Sequence, residues 1–225
     1  MSVAFDAAGT AASFGSATSF DYTGITVGTG SNRCLLLYIQ FTVAVTGISA
    51  NWDSAGTNQA MTQLQFQNYG GSNTTNDYSF YLLNPTSGNK NLHVSWTTAT
   101  FTHAIGFSVT GANQTGGATT FYSQHQDSDT GVGVTTFSET FTVNSGDLGV
   151  VYSGNSFGAG ASVNQTQWVN DASGAMGNYA LGTGASITFT HNFGGAAGFA
   201  MLGNAIAAAP TAQPFSTDTP SIVVM

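Results

Sequence analysis

Glycoside hydrolysis needs two carboxylates facing one another across a groove, one of them with a raised pKa so that it can act as an acid. The sequence has a single glutamate, Glu139. Within Thr136-Phe137-Ser138-Glu139-Thr140-Phe141 it is read as an exposed strand residue turned away from the phenylalanines rather than as half of a catalytic pair. The four histidines, His93, His103, His125 and His191, include no pair at the close spacing of zinc motifs such as HExxH. His93 is expected to be exposed, and His103, at the end of its strand, to be a hydrogen-bonded structural residue. No Gly-x-Ser-x-Gly nucleophile elbow is present, and Cys34 heads an apolar run without the electropositive setting that makes a thiol reactive. No catalytic residue is assigned, and the chain is expected not to be an enzyme.

Two binding chemistries remain. In Gln124-His125-Gln126-Asp127-Ser128-Asp129-Thr130-Gly131, the Asp-x-Asp spacing before a glycine makes Asp127 and Asp129 candidate oxygen ligands for calcium, although the segment falls well short of an EF-hand. An ordinary solvated turn, with Asp and Ser bonded to their own backbone, is the plainer reading. No other cofactor is expected. Exposed aromatic rings beside amides and carboxylates make stacking surfaces for sugars, and the candidates are Trp52, Tyr69, Tyr78 and Trp168. Trp96 belongs by parity to an inward row and Trp168 fits one too, so core packing is at least as good a reading for each of them.

Composition sets the surroundings of these residues. Charged side chains are 5% of the 225 residues, so the polar surface must come from Thr, Ser, Asn, Gln and the 29 glycines. Arg33 and Lys90 are the only strong bases against ten acidic residues. Such a chain cannot neutralise a run of phosphates, which argues against nucleic acid and anionic membranes as partners. With 41% hydrophobic residues, including 16 Phe, it has ample apolar surface for a core. One cysteine allows no internal disulfide. The first residues, Met1-Ser2-Val3-Ala4-Phe5-Asp6, lack the basic and apolar regions of a signal peptide. A nearly uncharged, Thr- and Asn-rich surface is typical of proteins that work outside cells; synthesis in the cytoplasm with release by lysis, as for a virion protein, reconciles it with this start, and a removed leader or a dedicated secretion system would do so as well.

Period-two alternation recurs along the chain and helical periodicity is nearly absent, which predicts an all-β antiparallel sandwich. Strands are expected at 18–28, 34–45, 59–67, 77–83, 90–98, 103–110, 119–124, 135–143, 147–153, 163–169, 177–182, 185–191 and 197–206. About a dozen strands would make two sheets of about six. The stretches from Cys34 and from Phe199 are apolar on both parities and should be central strands. Leu92, Val94 and Trp96 form one inward row; Ile105, Phe107 and Val109 a second; Leu148, Val150 and Tyr152 a third; Ile187 and Phe189 a fourth. Residues 1–206 are read as one sandwich domain. Residues 207–225, with Pro210 and Pro214, are read as an extended C-terminal arm whose apolar tip Ile222-Val223-Val224-Met225 either docks on a neighbour or folds back.

The order of motifs resembles a largely uncharacterised, jelly-roll-like module of bacteriophage structural proteins and bacterial surface proteins. It runs through Gly30-Ser31-Asn32-Arg33 before an apolar strand, Tyr81-Leu82-Leu83-Asn84-Pro85, Gly88-Asn89-Lys90 and Val94-Ser95-Trp96. It continues through Phe107 to Thr115, Gly146-Asp147-Leu148, Gln165-Thr166-Gln167-Trp168 and a closing strand ending at Ile206. The resemblance covers roughly residues 3–206 and brings no catalytic residues. Asn51 to Asn58 replaces the Tyr-Gly-Gly type of turn usual in that module. The resemblance implies a jelly-roll-like sandwich displayed on a particle or cell surface.

The functional expectation is therefore a non-enzymatic virion structural protein: a capsid decoration, head-fibre or tail-associated subunit. It would sit on the virion surface, contact other capsid or tail subunits and form a homo-oligomer. The alternative is a carbohydrate-binding adhesin or receptor-binding module, extracellular or on a cell surface, whose partner is a surface glycan.

Overall fold

The computed structural model describes residues 1–68, 76–128, 134–155, 162–163, 165–171 and 175–211. Tyr69, the turn at 70–73, Asp129 and residues 212–225 of the expected arm lie outside the described residues. The fold is all-β, with curled antiparallel sheets in a sandwich-like arrangement.

Strand β4 (Cys34–Phe41) shows why the layers stack as they do. Its odd residues Leu35, Leu37, Ile39 and Phe41 enter one core, and its even residues Cys34, Leu36 and Tyr38 enter another. A strand covered on both faces has no polar side to present, hence the unbroken apolar run. In the same sheet lie β1 (Ala4–Ala8), β2 (Ala12–Tyr22), β5 (Ser49–Trp52), β6 (Gln59–Ala60), β7 (Thr62–Asn68), β8 (Asn76–Leu83) and β10 (Leu92–Thr110). A two-stranded ribbon, β3 (Thr26–Val27) with β9 (Gly88–Asn89), closes one side.

Strand β10 curls this sheet onto itself. Its first part, Leu92 to Ser95, pairs with β2 at Ser19 to Tyr22 and with β5. Its last part, Thr102 to Val109, pairs with β4. The register breaks between Ser95 and Thr102, where the strand turns the corner. The first core fills the inside of this curl, with Trp52, Leu92, Val94 and Trp96 packed on Leu37, Ile39 and Phe41. Each such aliphatic or aromatic side chain contributes about 2 kcal/mol by leaving water.

The second core lies between the outer face of β4, β8 and β10 and a five-stranded sheet. That sheet has the order β11 (Phe121–Ser128), β18 (Phe199–Ile206), β13 (Leu148–Asn155), β16 (Ala175–Leu181), β15 (Thr166–Asp171). A third core joins the far side of that sheet to β12 (Val134–Thr142), β17 (Ser186–Ala197) and β14 (Ser162–Val163). Strand β18 matches β4: Leu202 and Ile206 enter the second core, while Phe199, Met201 and Ala205 enter the third.

The four inward rows take the faces expected of them, but three expectations are corrected. Two sheets of about six become, among the described residues, sheets of eight, five, three and two strands, because two middle layers are apolar on both faces. The strands expected at 90–98 and 103–110 are one. Its inward parity changes from even (Leu92, Val94, Trp96) to odd (Ile105, Phe107, Val109) because its two halves serve different cores. The hydrogen-bonded body extends past Ile206: Ala207, Ala208 and Ala209 donate to Thr120 O, Asp147 Oδ1 and Gly111 O. No helix among the described residues is long and apolar enough to cross a membrane.

Candidate functional site

Where the second core ends, five strands of the curled sheet each contribute one side chain to a polar row. Ser13 (β2), His103 (β10), Gln40 (β4), Asp77 (β8) and Gln67 (β7) are register partners in succession. Alternation turns Gln40 to the side of Leu36 and Tyr38, His103 to that of Ile105 and Phe107, and Asp77 to that of Tyr81. The facing sheet has a matching row: Asp171 (β15), Ala175 (β16), Gly154 (β13), Ala200 (β18) and Ser128 (β11).

Three hydrogen bonds join the rows at corresponding places. His103 Nε2 donates to Asp171 Oδ2 at 2.6 Å, Gly154 N to Asp77 Oδ2 at 3.2 Å, and Gln67 Nε2 to Ser128 Oγ at 3.0 Å. The polar side chains of one sheet meet small residues of the other, so the layers approach closely and stay in one register. This seam places the five-stranded sheet on the curled one by direction as well as by apolar contact.

Asp77 is fully buried, and burial pushes its carboxyl up to about 8, against hydrogen bonds from Gly154 N and the Gln40 side chain that favour the ionised form. At neutral pH it is a protonated acid held inside the protein. The Tyr38 and Tyr152 rings stack next to it at 4.8 Å, and burial raises both hydroxyls well above the ordinary phenol range. Their oxygens, Asp77 Oδ1, Ser79 Oγ and His103 Nδ1 are buried without a hydrogen-bond partner among the described residues. A Cβ at Gly154 would collide with Gln40 Nε2 and come within 2.8 Å of Asp77 Oδ2. Gly154→Ala is therefore expected to destabilise the fold by about 1–3 kcal/mol, read as a lowered urea midpoint.

The row emerges at the surface at its Ser13 end. A groove of about 220 Å³ opens there, lined by Ser13, Phe14, Gln40, Thr42, Phe101, Thr102 and His103. Phe101 is 60% exposed, the most exposed large apolar side chain among the described residues. The groove thus joins an open aromatic ring to hydroxyl, amide and imidazole groups whose positions are set by Asp171 and Asp77 behind them.

The residues singled out from sequence fall elsewhere. Trp52 has no exposed surface; its ring belongs to the first core and its Nε1 donates to Thr86 O at 2.9 Å. Tyr78 is buried there too, edge-on to Phe41. Neither offers a face to a sugar, and both assignments are corrected. Trp168 is half-buried. An irregularity in β15 between Gln167 and Val169 turns it inward over Gly177, 4.8 Å from the Phe107 ring, as a wall of the second core. Tyr69 and Asp129 lie outside the described residues. Asp127 is exposed and accepts from Ser128 N at 2.7 Å, and no group of three metal-binding side chains occurs among the described residues.

Glu139 is corrected as well. It shares the parity of Phe137 and Phe141, so it turns to the inner side of its strand and lies 2.6 Å from His125 Nδ1. His93 is partly exposed, 2.9 Å from Asp21. His103 is hydrogen bonded as expected, but lies within β10 rather than at a strand's end. His191 is buried with its Nδ1 2.6 Å from Ser153 Oγ, which ties β17 to β13.

No protein-family model matches the chain, and no curated protein matches it either.

Proposed function

We propose that the chain is a non-enzymatic structural subunit of a bacteriophage virion, a capsid-decoration, head-fibre or tail-associated protein present in many copies. The observation that carries this reading is the outermost sheet. Its inner side supplies Phe137, Phe141, Phe189 and Phe193 to the third core. Its outer side pairs Thr136 with Asn192, Ser138 with Thr190, Thr140 with Thr188 and Thr142 with Ser186 by hydrogen bonds of 2.7–3.5 Å.

Four rungs of paired uncharged groups cover this face without a charged side chain among them. Cross-strand hydroxyl pairs of this kind support the sheet rather than perform chemistry. A second neutral pair set, Thr42 with Thr100 and Thr46 with Thr97, closes the curled sheet. Rigid layers with neutral outer surfaces suit a protein displayed on a particle, where closed symmetry would place identical faces side by side as a homo-oligomer.

The reading predicts that the chain co-purifies at fixed stoichiometry with particles banded in a density gradient from the native source. Quantitative mass spectrometry of the band checks this. A chain found only in soluble or envelope fractions would contradict it.

A further inference from the structure

We infer that the groove at the surface end of the polar row is a binding site for one neutral sugar unit, with Phe101 as its stacking platform. The inference stands whether the chain is carried by a particle or by a cell.

A pyranose presents an apolar C–H face and a rim of hydroxyls, so its site must combine an open aromatic ring with fixed donors and acceptors. Phe101 supplies the ring: it is 60% exposed. Around it stand Ser13, Gln40, Thr42, Thr102 and His103. The lining thus carries the hydroxyl, amide and imidazole groups that the hydroxyls of a sugar need as partners.

Size and charge narrow the ligand class. About 220 Å³ is below the range of pockets for drug-sized molecules, which suits one ring of a longer glycan. Among the described residues no Asp, Glu, Lys or Arg lines the groove, and the net charge of −8 disfavours acidic sugars and phosphates. The imidazole is held by Asp171 at 2.6 Å, and the Gln40 amide is hydrogen bonded to Asp77. Neither must be ordered at binding, which removes part of the entropic cost. Asp171 and Asp77 are thus positioning residues.

The test is a titration of the intact chain with methyl glucoside, galactoside, mannoside and N-acetylglucosaminide, followed by amide-resolved NMR. At least one is expected to bind in the millimolar range, with shifts concentrated at residues 13–14, 40–42 and 101–103. Phe101→Ala, a change at an exposed side chain, is expected to weaken that binding about tenfold or more. Phe66→Ala, which removes an exposed ring elsewhere, is expected to leave it unchanged. Absence of groove shifts with all four glycosides would overturn the inference, as would binding unaffected by Phe101→Ala.

Discussion

Replacing Asp77 with Asn is expected to abolish a loss of stability of on the order of 4 kcal/mol that the unaltered side chain brings between acid and neutral pH. The folded chain keeps the Asp77 proton up to about 8, whereas the ordinary value is 3.8. Between those limits the folded state binds more protons than the unfolded one, so stability is fully present below about 4. It is lost as pH rises toward 8, and no further loss follows above that. Asn has nearly the shape of the protonated acid: its oxygen can accept from Gly154 N and Gln40, and its amide nitrogen takes the place of Oδ1, where the cost of the extra unpaired N–H does not change with pH, so the slope is the readout. It cannot ionise, so the pH-dependent loss disappears. Urea unfolding from about pH 4 to pH 9 reads the difference as a midpoint that stops falling with pH. A variant whose midpoint still fell between about 6 and 8 would show that another group carries the effect.

His191 works in the opposite direction. Burial holds its imidazole down at about 4, against an ordinary value of 6.5, so the unfolded state binds more protons in that interval. Stability is complete above about 6.5 and is lost as pH falls toward 4, by about 3 kcal/mol. His191→Asn keeps a polar group beside Ser153 Oγ and removes the titration. It also leaves a small cavity, but that cost does not change with pH, so the slope rather than the absolute stability is the readout. In the unaltered chain the two slopes oppose each other between about 4 and 6.5, giving a plateau, and only the Asp77 loss remains from there to about 8. Asp77→Asn should therefore show stability rising from pH 4 to 6.5, and His191→Asn should show it falling from pH 4 to 8. The exposed carboxylate Asp21, held below its usual range by hydrogen bonds from Asn91 and His93, adds to losses only at the acid extreme.

Much of the fold was legible because a strand records its surroundings in its own alternation. Cys34 to Phe41 and Phe199 to Ile206 read as doubly covered strands, and each is a middle layer between two cores. The parity change within β10 reads in the sequence as a link between two strands, since alternation cannot tell a gap from a strand that passes from one core to the next. Strand β1 and the first half of β2 were missed because they are half-exposed and interrupted by small residues. Of the candidate site, almost nothing could be read. Ser13, Gln40, Gln67, Asp77 and His103 are scattered over ninety positions of sequence and meet only through the register of five strands. Large aromatic residues drew attention to Trp52 and Tyr78, yet ring size favours burial; the exposed ring is Phe101, in a stretch read as the link between two strands.

Immunogold electron microscopy of the native source, with antibody against the intact chain, tests the proposed function most directly. The account predicts label at regular positions on capsids or tails, in numbers consistent with many copies per particle. Label confined to cell envelopes, with particles bare, would contradict it and leave the sugar groove as the leading guide to what this protein does.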